Sequence, residues 1–143
     1  MSEHSLITGN TFSDERGTLS FFNSLDMSPI VRMYHIAPKN KTQIRAWQGH
    51  KIEKKWFYCT HGSFIIHLIQ VDDFKNPSQK LISNKIKLKE NEPQVLCVPK
   101  GYASGIKATE ENSKLLVFSN ANLSTSKEDD YRFKADFWKV DWN

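Results

Sequence analysis

Eight short apolar segments, each bounded by turn residues, leave this chain little room for anything but sheet. LSFF, VRMYHI, KWFYCT, SFIIHLIQV, KLISNKIKL, PQVLCV, GIKA and KLLVFSN are rich in β-branched and aromatic residues, with Gly, Pro, Asn or Asp between them. SFIIHLIQV and LLVF are almost continuously apolar, which marks strands covered on two faces, as in a sandwich or small barrel. Thr60-His61-Gly62 offers a glycine for positive φ and is expected to close a tight hairpin. Helix is scarce. STSKEDDYRFKADFW, with Ser and Thr as N-cap candidates ahead of acidic residues, is expected to form one short C-terminal helix or tail.

The 143 residues allow one domain with a proper core. Nothing repeats, no linker divides the chain, and no apolar run is long enough to cross a bilayer. The polar residues after Met1 do not resemble a signal peptide, so a cytoplasmic location and no membrane partner are expected. Cys59 and Cys97 both fall inside apolar strands and are expected to be small buried hydrophobes. The net charge of +4 and pI near 9.0 favour an anionic ligand. The lysine-rich runs KIEKK and KIKLK alternate with apolar residues as on a solvated strand face, which argues against nucleic acid.

RAWQGHK, residues 45–51, packs Arg45, Trp47, Gln48 and His50 into one heptapeptide. It is either one end of a strand with a busy interior face or part of an acid/base site. Further on, Val98-Pro99-Lys100-Gly101-Tyr102-Ala103-Ser104-Gly105 supplies a P-x-G turn. An eight-strand chain with that turn resembles a cupin, a double-stranded β-helix (jelly roll). The cupin motif H-x-H-x(3,4)-E-x(6)-G aligns with Gln48-Gly49-His50 through Lys54 to Gly62, and P-x-G-x-x-H aligns with Pro99 to Ser104. A transition metal needs three or four donors converging at about 2.0–2.3 Å. Of Gln48, His50, Lys54 and Ser104, only His50 is a good donor, so neither a bound metal nor another cofactor is expected.

Three blocks in register narrow the resemblance: Asp14-Glu15-Arg16-Gly17-Thr18-Leu19, then Arg45 to Lys51, then Val98 to Ile106. Asp130-Tyr131-Arg132 and the pair Phe137-Trp138 extend it. The chain is similar to the dTDP-4-dehydrorhamnose 3,5-epimerase family, and more so to its short relatives, the dTDP-4-keto-6-deoxyglucose 3,4-ketoisomerases of the WxcM-like kind. The resemblance implies a single RmlC-like cupin domain over residues 1–143. It also implies a nucleotide-diphospho sugar as ligand, a role in deoxysugar (cell-surface polysaccharide) biosynthesis, and a homodimer. The implied activity is that of a metal-independent isomerase moving a proton alpha to a C4 ketone. A carbon acid of that kind needs a base within hydrogen-bond reach and a group that stabilises the enolate oxygen.

Carried over by position, His50 is the base, with Lys55 and Gln48 beside the reacting sugar. Arg16 and Arg45 sit near the diphosphate, where a guanidinium fork suits phosphate oxygens. Trp47, Tyr102 and Ser104 complete the ligand wall. Gln48 and Ser104 stand where relatives have histidine, and no tyrosine occurs between Asn120 and Leu123, where the epimerases have their acid. With His50 as sole base, one-site epimerisation or ketoisomerisation fits better than a double epimerisation. The alternative is a catalytically degraded cupin that only binds the nucleotide-sugar.

Structural readings stand beside these. His50 is equally a histidine bonded at a strand end. Trp47 and its aromatic neighbours are ordinary core candidates, and Arg45 has a possible partner in Glu53. His67 shares a face with Ile65 and Ile69 and is expected to be a satisfied core or pocket-wall histidine. His35 is ambiguous, His61 solvated, and His4 part of a frayed terminus. Alternation allows at most one of Lys54 and Lys55 to face inward.

Overall fold

Strand period and turn chemistry together place twelve strands and one short helix in residues 3–143, the residues that the computed structural model describes. In chain order these are β1 (Ser5–Thr8), β2 (Asn10–Asp14), β3 (Gly17–Phe21), β4 (Arg32–Ile36), β5 (Ile44–His50), β6 (Lys55–His61) and β7 (Ser63–Gln70). There follow β8 (Asn84–Lys89), β9 (Gln94–Val98), β10 (Tyr102–Ala108), β11 (Lys114–Ser119), α1 (Leu123–Glu128) and β12 (Tyr131–Arg132). One five-stranded sheet runs β1-β9-β6-β11-β4 and a second runs β12-β5-β10-β7-β8, while β2 and β3 form a separate ribbon. Every pairing is antiparallel. Two antiparallel sheets facing one another, with every connection from β4 to β12 except β7–β8 changing sheet, make the expected all-β jelly roll.

β7 shows why its sequence lacks alternation. Phe64, Ile66 and Leu68 point between the sheets and meet Phe57, Leu96 and Leu115. On the other face Ile69 packs with Trp47, Ala103 and Trp138, because the C-terminal tail folds across the second sheet. His67 is on that face as well. It is bonded to Ser83 Oγ (2.9 Å) and the Asp141 carbonyl (2.7 Å), with the Trp142 ring edge-on at 4.7 Å, so it is the satisfied histidine expected. Each fully buried large side chain of this kind contributes roughly 1.5–3 kcal/mol.

Several local expectations are corrected. Gly62 does not close a hairpin, since β6 and β7 lie in different sheets. Its φ of +70° turns a corner between them, so tightly that a Cβ there would collide with Ser113 Oγ. KLISNKIKL is strand only from Asn84; Leu81 joins the tail cluster and Ile82 faces solvent. The C-terminal stretch is split. Asn122, not Ser or Thr, caps α1 by accepting the Thr125 N–H (2.8 Å), and β12 then adds to the edge of β5. Pairing with β5 satisfies backbone groups that a longer helix would have bonded internally. His4 is not frayed: its N–H reaches the Tyr102 hydroxyl (3.4 Å).

Cys59 and Cys97 are free and buried, and burial pushes the Cys59 thiol up to about 12. Among the described residues no helix is long and apolar enough to cross a membrane.

Candidate active site

The two sheets part at one end around a cavity of about 640 Å³. Arg32, Tyr34 and Ile36 of β4 with Lys55 and Phe57 of β6 form one wall. Opposite stand residues 44–48 of β5, with Ser104 and Ile106 of β10. Ser126, Arg132 and Phe133, from the segment after the last core strand, close one side. A recess of about 10 Å³ adjoins it, sharing Lys55, Phe57 and Ser104, and is lined further by His50, Glu53, Pro99 and Tyr102.

The register explains which residues meet. β5 pairs β10 with Ser104 opposite Gln48 and Tyr102 opposite His50, and period 2 sends Gln48 and His50 to the interior face. Trp47 and Gly49 face the other way, and the Trp47 ring, 1% exposed, packs edge-on against Trp138. Trp47 therefore borders the cavity while its ring belongs to the core. At the start of β6 the same alternation buries Lys55, while Lys54, just before the strand, lies over Trp56.

The heptapeptide thus supplies Arg45 and Gln48 to the cavity and His50 to the recess. Ser104 touches both and Tyr102 the recess alone. Arg16 reaches neither; at the tip of the β2–β3 ribbon its guanidinium is 81% exposed and paired with Asp14 (2.7 Å). Glu53, the partner considered for Arg45, is bonded instead to Arg32 Nη2 (3.1 Å). Arg45 is exposed at the rim.

Polar contacts around the recess are dense. Glu53, with a fully buried carboxylate, accepts from Ser119 Oγ and Ser126 Oγ (both 2.7 Å) as well as from Arg32. Burial alone would raise its pKa, but the two hydroxyls and the nearby His50 and Lys55 outweigh burial and hold it below the usual carboxylate value. His50 Nδ1 donates to the Asp129 carbonyl (2.7 Å) with Glu53 Oε1 at 3.6 Å, and Nε2 is buried with no hydrogen-bond partner. Burial, reinforced by the Lys55 ammonium, pushes the imidazole below its ordinary pKa against the opposing pull of Asp129 and Glu53. The ring is therefore neutral at pH 7. A neutral imidazole protonated on Nδ1 presents a lone pair on Nε2, as a general base must.

Gln48 joins the two sides. Its Oε1 accepts from Lys55 Nζ (3.2 Å) and its Nε2 donates to Asp130 Oδ1 (3.1 Å), which also takes Arg132 Nε (2.7 Å). Glu53 offsets Arg32 and Asp130 offsets Arg132, leaving Arg45 and Lys55 as the lining cations without a carboxylate partner among the described residues. No three His, Cys, Asp or Glu side chains among the described residues converge as a metal's ligand set would.

Sequence reasoning missed Arg32, Tyr34, Ser126 and Asp129 as parts of this site, and saw Glu53 only as a partner for Arg45. Arg32 and Ser126 touch across 94 residues, a separation that carries no spacing signal.

A family model, FdtA, described as WxcM-like, C-terminal, matches residues 2–141. No curated protein matches the chain significantly. Solved structures share the fold. A mutant of the 3,4-ketoisomerase QdtA from Thermoanaerobacterium thermosaccharolyticum, in complex with TDP-4-keto-6-deoxyglucose, is 21% identical over 96% of this chain and 92% of that one, with a TM-score of 0.73. The WlaRB TDP-quinovose 3,4-ketoisomerase from Campylobacter jejuni is 23% identical, with coverages of 96% and 98% and a TM-score of 0.70. The Mycobacterium tuberculosis rmlC epimerase is 18% identical, with coverages of 97% and 74% and a TM-score of 0.77.

Proposed function

Since the chain belongs to the WxcM-like, C-terminal family, we propose that it is an isomerase of nucleotide-diphospho 4-keto-6-deoxysugars in deoxysugar biosynthesis, working without a metal. One observation carries the proposal: His50, whose buried Nε2 has no hydrogen-bond partner, lines a recess that shares Lys55 and Ser104 with a cavity holding uncompensated positive charge. The diphosphate lies by Arg45 at the rim, and the sugar projects inward toward Lys55 and Ser104. His50 Nε2 takes the proton from the carbon alpha to the ketone. The electron pair moves to the carbonyl oxygen, where the Lys55 ammonium, held by Gln48, stabilises the enolate. Delivery of the proton by His50 to C4, with the C3 hydroxyl proton passing to the former carbonyl oxygen, moves the ketone to C3 and gives the isomer; an epimer needs a proton from a donor on the opposite face.

The protein is further proposed to act as a homodimer through the β2–β3 ribbon, which pairs with no other strand among the described residues and exposes Phe12 and Leu19 at 57% and 61%. Arg16, far from the cavity in one chain, would then serve a second copy. Light scattering at the mass of a monomer at all concentrations removes this part of the proposal.

The test of the activity is exchange. With dTDP-4-keto-6-deoxyglucose in deuterated water, the C3 or C5 proton signal is expected to disappear with wild-type protein and to persist with His50→Asn. Saturable binding of the nucleotide-sugar without any exchange would establish the binding-only alternative instead.

A further inference from the structure

Asp129 is bonded on both sides of its Cα to the segment that carries the base. Its carbonyl oxygen accepts from His50 Nδ1 at 2.7 Å. Its carboxylate accepts three consecutive backbone N–H groups, those of Lys51 (2.8 Å), Ile52 (2.9 Å) and Glu53 (2.8 Å). The residue is 4% exposed and directly follows α1, where its own N–H donates to the Ser126 carbonyl (3.2 Å). A buried carboxylate is tolerated because charge-assisted bonds replace its hydration.

We infer that Asp129 is the positioning residue that fixes the tautomer of His50, an assignment that rests on His50 being the base. A carbonyl oxygen can only accept, so the imidazole proton must reside on Nδ1 and the lone pair on Nε2, the nitrogen left without a partner. The opposite tautomer would set the Nδ1 lone pair against the carbonyl and turn an N–H toward the substrate, where no base would remain. The carboxylate ties Asp129 to the 51–53 backbone and so holds this carbonyl at the ring. The Asp129 side chain therefore controls His50 through the loop, although it does not itself touch the imidazole.

The charged and titratable groups around the ring act in the same sense or leave the tautomer alone. Glu53 Oε1 stands 3.6 Å from Nδ1, beyond hydrogen-bond reach but near enough to favour a proton on that nitrogen, and is itself tied to Arg32 of β4. Lys55 of β6 opposes protonation of the ring, and Tyr102 of β10 lines the recess. Asp129 favours the imidazolium, so its neutralisation lowers the His50 pKa further.

The experiment uses the full chain labelled with ¹⁵N-histidine and long-range ¹H–¹⁵N correlation at pH 8, with the His50 signals assigned by their loss in His50→Asn. Wild-type His50 is expected to be protonated on Nδ1 with Nε2 bare. In Asp129→Asn an amide N–H faces backbone donors, and the spectrum is expected to shift to a mixture with Nε2–H. The exchange rate is expected to fall by roughly 10²-fold with KM little changed, and the acid limb of the pH–rate profile to move to lower pH. An Nε2–H tautomer in the wild type overturns the inference without any variant. So does an unchanged tautomer in folded Asp129→Asn. A bare Nε2 in a protein that exchanges no sugar proton supports the tautomer assignment while refuting the proposed activity, so the two failures are separable.

Discussion

Glu53→Gln and Glu53→Met measure how much of the stability of this fold resides beneath its cavity. Glu53 accepts three bonds, from Ser119 Oγ, Ser126 Oγ and Arg32 Nη2, and its carboxylate is fully buried. Changing a charged acceptor to a neutral one costs about 1 kcal/mol per bond, so Glu53→Gln is expected to lose about 3 kcal/mol. At this chain length that corresponds to a Tm lowered by about 6–10 °C. Methionine has similar volume but accepts nothing, and it leaves a guanidinium only 24% exposed without its counter-charge, so about 3–5 kcal/mol is expected. Urea unfolding, with the slope checked for constancy, reads both.

The effect has a pH signature. The folded-state pKa of Glu53 lies below the ordinary value. Its contribution is therefore complete above about pH 4.3 and disappears as pH falls through the folded value. The gap between wild type and Glu53→Gln should be full at pH 7 and should close as the wild-type carboxylate is protonated. A methionine variant within about 1 kcal/mol of wild type at pH 7 would refute the reasoning, because it would mean that desolvation cancels the network.

Two further outcomes are expected. Arg45→Ala should weaken binding of the nucleotide diphosphate, followed by calorimetry, by about tenfold with no change in Tm, because the side chain is exposed at the rim and has no carboxylate partner; equal affinity would move the diphosphate elsewhere. Gly62→Ala should cost about 2 kcal/mol or more in urea unfolding, since it combines positive φ with a Cβ forced onto Ser113, and a neutral result would mean the corner relaxes freely.

How much of this was legible follows from the range of each interaction. Strand alternation is local, so the sequence separated Lys54 from Lys55 and found β7 covered on both faces. It missed β12, because a two-residue strand exists only by virtue of the β5 edge it joins. It mistook the Gly62 corner for a hairpin, because positive φ serves either turn and only the sheet assignment distinguishes them.

The amino-acid order alone determined an all-β sandwich or small barrel and the rule that at most one of Lys54 and Lys55 faces inward; the cupin resemblance added the jelly roll and the shortage of metal donors at Gln48, Lys54 and Ser104. Tertiary structure alone decided that Glu53 answers Arg32 rather than Arg45, that Arg16 stands away from the cavity of its own chain, and that Asp129 holds the His50 ring. The reason is physical: side-chain direction follows from a two-residue period, whereas partners 21, 79 and 94 residues apart are chosen by how two sheets and a returning tail come to rest against each other.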